Sequence, residues 1–207
     1  MKKVIYLEGG GDSKELHTRC REGFRKLLEK CGYEGKMPRL VACGGRGSVF
    51  EDFQSAHGSR APEDFIAMMI DSEDPLTDPE ATWDHLINRD GWEKPPGSAD
   101  EQVLFMTTCM ETWIIADRDI LSSHYGSRLQ VSALPPLANI EERNRHDIQD
   151  ALFHATRNCE NAYQKGKRSF DILSKLTPDA LKPHLPSFVR NLEILDKKLK
   201  DIESPEM

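Results

Sequence analysis

Four short apolar runs in the first half of the chain are each followed by a stretch of helical spacing. Val4-Ile5-Tyr6-Leu7 predicts a strand over 2–8. Leu16, Cys20, Phe24, Leu27, Leu28 and Cys31 then predict a helix over 13–31, with Asp12 and Glu15 as a capping box and Gly32 as its stop. A second strand is expected at 39–43, then a Gly44-Gly45-Arg46-Gly47 turn. The helix after it would be capped by Ser48 and Glu51 and anchored by Phe50 and Phe53. The run Phe65-Ile66-Ala67-Met68-Met69-Ile70 predicts a strand over 64–70, and a helix from Asp78-Pro79 to Arg89 follows. Residues 90–101 have loop composition. They lead to a strand over Gln102–Thr108 and a helix over Met110–Tyr125 that Gly126 ends.

The second half changes character. Leu129–Leu137 suits an edge strand or an extended loop ending at Pro135-Pro136. Helices are expected at 146–164, 168–176 and 178–183. A last helix over 187–202 would be opened by Pro186 and carry Phe188, Leu192, Leu195 and Leu199 on one face, with the final residues frayed. Four strand–helix units in a row imply an α/β fold with right-handed crossovers, a mainly parallel four-stranded sheet and helices on both faces. The expected organisation is one domain: a core over 1–126 and a helical extension over 127–207 packed on it.

In such sheets the sites form at the carboxyl ends of the strands. Glu8, Arg46, Asp71, Glu73, Asp74 and Glu111 all fall there. Carboxylates at the ends of buried strands are costly to keep ionised without compensation, and a divalent cation supplies it. Glu8 precedes a glycine run, as a general acid or base or a metal ligand; the alternative is a solvated strand end beside a tight turn. Gly11-Asp12-Ser13-Lys14 lacks the ending of a phosphate-binding P-loop. Alternation along an extended chain puts Asp71 and Glu73 on one side, which suits two oxygen ligands on one magnesium ion, while Asp74 could take the place of Glu73. Glu111 opens a helix, where the dipole favours a carboxylate, and is otherwise a further ligand. Arg46 in its glycine turn suits a phosphate or is a solvated turn residue. Asp117 is either a solvated residue or the partner of a site lysine. Lys165, Lys167 and Arg168 form the densest basic cluster, a solvated surface or a phosphate contact.

Charge and composition narrow the picture further. The formal net charge of -7 argues against wholesale coating of nucleic acid, though not against a local basic patch. No apolar run reaches the roughly 20 residues of a bilayer span, and the apolar run after Met1-Lys2-Lys3 is too short for a signal peptide. The 5 cysteines are odd in number and hold no CxxC pair, so small core hydrophobes in a reducing cytoplasm are expected. The 7 histidines show no zinc spacing, and no GxSxG is present.

Strand-Glu8-Gly9 at the start, followed two units later by strand-Asp71-x-Glu73, resembles a Toprim domain. That fold occurs in topoisomerases, primases and overcoming-lysogenization-type nucleases. The resemblance puts the family's glutamate on Glu8 and its DxD motif on Asp71 and Glu73, with Glu where the family has its second Asp. Three further segments narrow it to an uncharacterised bacterial Toprim-like family related to RloB-type proteins: Met110-Glu111-Thr112-Trp113-Ile114-Ile115-Ala116-Asp117, Gly166-Lys167-Arg168-Ser169-Phe170 and Pro186-Ser187-Phe188. It covers nearly the whole chain. It implies a magnesium-dependent nuclease site, with manganese as a substitute, DNA or RNA as substrate, Lys167 on a substrate phosphate, and a place in anti-phage defence beside an ATPase partner. The rival expectation is a Toprim-like subunit that binds nucleic acid or a partner protein and has little activity alone.

Overall fold

The computed structural model describes residues 1–199. Its strands are β1 (Lys3–Glu8), β2 (Arg39–Gly44), β3 (Phe65–Asp71) and β4 (Val103–Met106). They form one parallel sheet in the order β2-β1-β3-β4, as the α/β reading expects. The chain leaves β1 for β2 on one side and returns across it to β3 on the other. The ends of β1 and β3 therefore flank the point where the strand order reverses, the usual place for a site in an open parallel sheet.

Helices cover both faces. α1 (Lys14–Leu28) lies on one face; α2 (Arg46–Gly58) and α3 (Thr82–Asp90) lie on the other. β3 is buried along its length because it serves both: Phe65, Ala67 and Met69 pack towards α1, while Ile66, Met68 and Ile70 meet Phe50, Phe53, Trp83 and Leu86. After β4 come α4 (Met110–Ala116), α5 (Arg118–Tyr125), α6 (Arg145–Thr156), α7 (Lys167–Leu173), α8 (Pro178–Leu181) and α9 (Pro186–Leu199). Ile148, Leu152, Ile172, Leu181 and Leu195 from this extension join Ile5, Leu7 and Met69 in one apolar core. Cys20, Cys109 and Cys159 are buried. Among the described residues no helix is long and apolar enough to cross a membrane.

Several expected boundaries are corrected, each for a local reason. Ser13, not Asp12, caps α1, accepting from Leu16 N at 3.3 Å. The helix gives way at Glu29 to a wide turn in which Gly32 has φ 91°. α2 begins at Arg46 behind Gly45, so Ser48 and Glu51 lie inside it and form no capping box. α3 begins at Thr82, because Asp100 supplies its cap from downstream in the chain. Asp100 Oδ1 accepts from Trp83 N at 2.9 Å and Thr82 Oγ1 at 3.1 Å, while Asp78 only closes a turn onto Glu80 N at 2.9 Å. β4 ends at Met106.

The single helix expected over 110–125 breaks at Asp117, whose φ and ψ are -93° and 83°. Asp117 is neither solvated nor bonded to a site lysine: its carboxylate accepts from Ile120 N at 3.0 Å and from Thr177 N and Oγ1 at 2.9 and 2.7 Å. Residues 129–137 hold no strand, only a short 3-10 turn at Val131–Ala133. α6 stops at Thr156, well short of 164. The expected last helical residues, 200–202, and the frayed end lie outside the described residues.

The two edges of the sheet differ. Beside β4, α9 supplies side chains in place of a neighbouring strand: Arg190 Nη1 donates to Val103 O at 3.2 Å and Asn191 Nδ2 to Phe105 O at 2.9 Å.

Candidate metal centre

The glycine loops come first, because they set where the carboxylates sit. Gly9 N donates to Gly44 O at 2.9 Å and Gly44 N to Gly9 O at 3.1 Å, so the loops after β1 and β2 are zipped backbone to backbone. Gly44 has φ 82°, and a Cβ there would lie 2.6 Å from Gly11 O. Only glycine satisfies both constraints. α2 starts directly behind this loop and aims Arg46 inward.

Arg46 organises one side of the cluster. Its Nε and Nη2 grip Asp90 at 3.1 and 2.8 Å, and its Nη1 donates to Asp71 O and lies 3.4 Å from Glu8 Oε2. Its guanidinium stands 5.0 Å from the centre of the Trp92 ring. Glu8 Oε2 also accepts from Asp71 N at 3.1 Å, so the end of β1 is tied to the end of β3.

Asp71 lies on the other side. Met110 N, at the start of α4, donates to its Oδ1 at 2.8 Å. Burial pushes the Asp71 carboxyl well above the usual carboxylate range, and the charges of Glu8 and Glu111 push it further. Glu8 is also raised by burial, against the pull of Arg46. Glu73 completes the group from a residue with φ 70°, an uncommon backbone for glutamate. One carboxylate oxygen from each of Glu8, Asp71 and Glu73 lies within 4.8 Å of the others. Asp74 is turned outward, paired with Arg89 Nε at 3.0 Å. Glu73 is paired with Arg89 Nη2 at 3.2 Å and with Arg145 of α6.

Glu111 is 1% exposed. It accepts from Tyr163 Oη at 2.7 Å and Gln149 Nε2 at 3.3 Å, and Lys165 Nζ is 3.8 Å away. A cavity of about 350 Å³ opens onto three of the carboxylates; Glu8, Gly10, Asp71, Glu111, Lys165 and Ser169 are among its walls. Lys167 is not in that wall: it lines a separate hollow with Arg19, Glu22 and Lys26.

The structure therefore brings together Glu8, Asp71, Glu73, Glu111 and Arg46 and leaves Asp74 and Lys167 apart. Asp90, Arg89, Arg145, Gln149, Tyr163 and Lys165 join them. Of these, only Lys165 stood in a cluster that sequence reasoning singled out; the others arrive through folding and share no motif.

Residues 7–196 match the family described as a domain of unknown function, DUF4276. The chain belongs to that family. No curated protein and no solved structure matches the chain. The DUF4276 match spans every group just described, from Glu8 to Lys165, so the cluster and the extension that encloses it fall within one family unit.

Proposed function

We propose that this DUF4276 chain is a magnesium-dependent phosphodiesterase of Toprim type that cleaves nucleic acid. The observation that carries the reading is the convergence of Glu8, Asp71 and Glu73, with oxygens within 4.8 Å, at the switch point of a parallel sheet. The donor set fits a hard cation: it is all oxygen, and burial, with Glu8 and Glu111 beside Asp71, disfavours the charged carboxylates unless a cation compensates them. Asp71 and Glu73 would hold the ion, with Glu8 beside them and Glu111 behind Asp71. The chemistry that magnesium held by these residues would supply is polarisation of a phosphodiester and neutralisation of charge on the departing oxygen.

The chain's own residues do the rest. Arg46 holds Glu8 and the Asp71 backbone in place from Asp90. Glu8, its carboxyl raised by burial, takes a proton from the attacking water or returns one to the leaving group. Lys165, in the cavity wall, takes the phosphate role expected of Lys167. Nucleic acid as substrate, an ATPase partner and a cytoplasmic setting belong to the same reading and rest on the Toprim resemblance.

The test is cleavage of DNA and RNA by the purified chain with magnesium or manganese, beside Asp71→Ala. Loss of cleavage in the variant supports the reading; equal cleavage by both marks a contaminant and removes it. One observation favours a second reading, a binding subunit with little activity: Glu73 is already neutralised by Arg89 and Arg145. Calorimetry with millimolar magnesium separates the two, since the binding subunit takes up no ion.

A further inference from the structure

One face of α6 carries a pattern that the carboxylates do not explain. Arg145, Gln149 and Phe153 are spaced by four and so stand in a row about 12 Å long. The adjoining stripe, with Ile148, Leu152 and Ala155, is buried in the core, so the row stands at the margin of the packed face. Each member of the row touches a residue of the acidic cluster or one that holds it. Arg145 pairs with Glu73, Gln149 donates to Glu111, and the Phe153 ring lies 5.3 Å from Tyr163, the residue whose hydroxyl also holds Glu111.

Phe153 is 41% exposed, and every other phenylalanine, tyrosine and tryptophan of the described residues is buried or half-buried. A single exposed apolar side chain is ordinary. This one differs by its place, in one helical row with the cation that pairs with Glu73 and the amide that donates to Glu111. The half-buried Trp92 offers no such surface: Phe50 stacks on it at 4.2 Å and Arg46 stands against it at 5.0 Å. Phe153 therefore supplies the open aromatic ring of this edge.

An open ring beside phosphate-binding cations suits an unpaired base, whose faces are free to stack; in a duplex those faces are already covered. We propose that the cleft takes single-stranded nucleic acid along α6, with Arg145 and Lys165 on its phosphates and Phe153 under an unpaired base. Lys165 is 56% exposed in its side chain and free to turn to a strand. The chain's net charge of -7 argues for a local contact of this kind over wholesale coating of the strand. The placing of the strand over the carboxylates rests on the phosphodiesterase reading.

The experiment is fluorescence anisotropy with the full chain in magnesium. The probes are labelled oligothymidylate with a phosphorothioate backbone and its duplex with oligodeoxyadenylate. The single strand is expected to bind about tenfold tighter than the duplex, Phe153→Ala to lose about tenfold of that affinity, and Phe153→Trp to keep it. Magnesium affinity by calorimetry stays unchanged in Phe153→Ala, and its melting temperature falls by no more than about 6 °C, the worth of one aromatic pair. Equal binding of oligothymidylate by the wild type and Phe153→Ala, equal binding of strand and duplex, or no strand binding at all would overturn the proposal. The two readings fail separately: strand binding that depends on Phe153 without magnesium uptake removes the phosphodiesterase, and magnesium uptake without strand binding removes only the single-strand assignment.

Discussion

The two walls of the acidic cleft carry similar side chains in opposite conditions. The wall from the α2–α3 face holds Arg46 and Asp90, both nearly buried at 14% and 10% exposure, in a two-pronged ion pair. Every donor direction of Arg46 used there points into protein. The wall from the helical extension holds Arg145, Gln149 and Lys165, whose cations remain open to water. Burial with full pairing makes a scaffold, and exposure with partial pairing leaves groups able to exchange partners. Glu73 sits where the walls meet, with Arg89 on one side and Arg145 on the other.

The strongest way to break the comparison is to remove what both walls serve. Asp71→Asn should lower cleavage by on the order of a thousandfold and abolish magnesium uptake. It should also hold or raise the melting temperature, because it relieves a buried carboxyl crowded by Glu8 and Glu111. A marked fall in melting temperature would mean that Asp71 is structural.

Next in size is the scaffold wall. Arg46→Ala strands Asp90 and Glu8 and should cost about 3 kcal/mol, a fall of roughly 6–12 °C in melting temperature. Thermal unfolding by circular dichroism measures it, and a fall of under about 2 °C would put Arg46 on the side of the exchangeable groups. Arg145→Ala should instead change stability by less than about 1 kcal/mol. It should weaken strand binding and lower the slope of affinity against salt by about one, which titration at several salt concentrations would show. An unchanged slope would take Arg145 off the phosphate.

The smallest effect concerns how the extension is anchored. Glu141 accepts from Ser187 N at 3.1 Å at the start of α9, and burial pushes its carboxyl up to about 7. Its folded form binds a proton more readily than the unfolded chain does. The stability it contributes is therefore complete below the ordinary glutamate range and is lost as pH rises through about 7. Between about pH 5 and 8 the wild type should lose on the order of 1–2 kcal/mol relative to Glu141→Gln. Parallel melting curves across that range would contradict it.

The strands and the acidic edge were legible because they depend on neighbours in sequence. The apolar runs around Ile5 and Met68 have one stable arrangement, buried on both faces, and the acids that follow them must then share an edge. What was not legible depended on partners distant in the chain. Asp100 decides where α3 begins, and Thr177 holds Asp117 where one expected helix becomes two. The choice between Glu73 and Asp74 turned on a backbone angle that their adjacent, similar side chains do not reveal. Arg145 gave no signal at all. Its role comes from α6 packing on α4, which brings Arg145 to Glu73 just past the end of β3, and no local spacing encodes that. Charge alone did not separate Lys165 from Lys167, the resemblance favoured Lys167, and the turn at Gly166, with φ 93°, sends the two to different hollows.

The sealing of β4 by α9 sets a timetable for synthesis. Val103 and Phe105 wait for donors that lie 87 and 86 positions later in the chain. At the usual 5–20 residues per second, that is roughly 4–17 s during which a ribosome holds a nearly finished sheet with one raw margin. Such a margin is a template for any extended neighbour, so nascent chains on one message are each other's nearest hazard until residue 191 emerges.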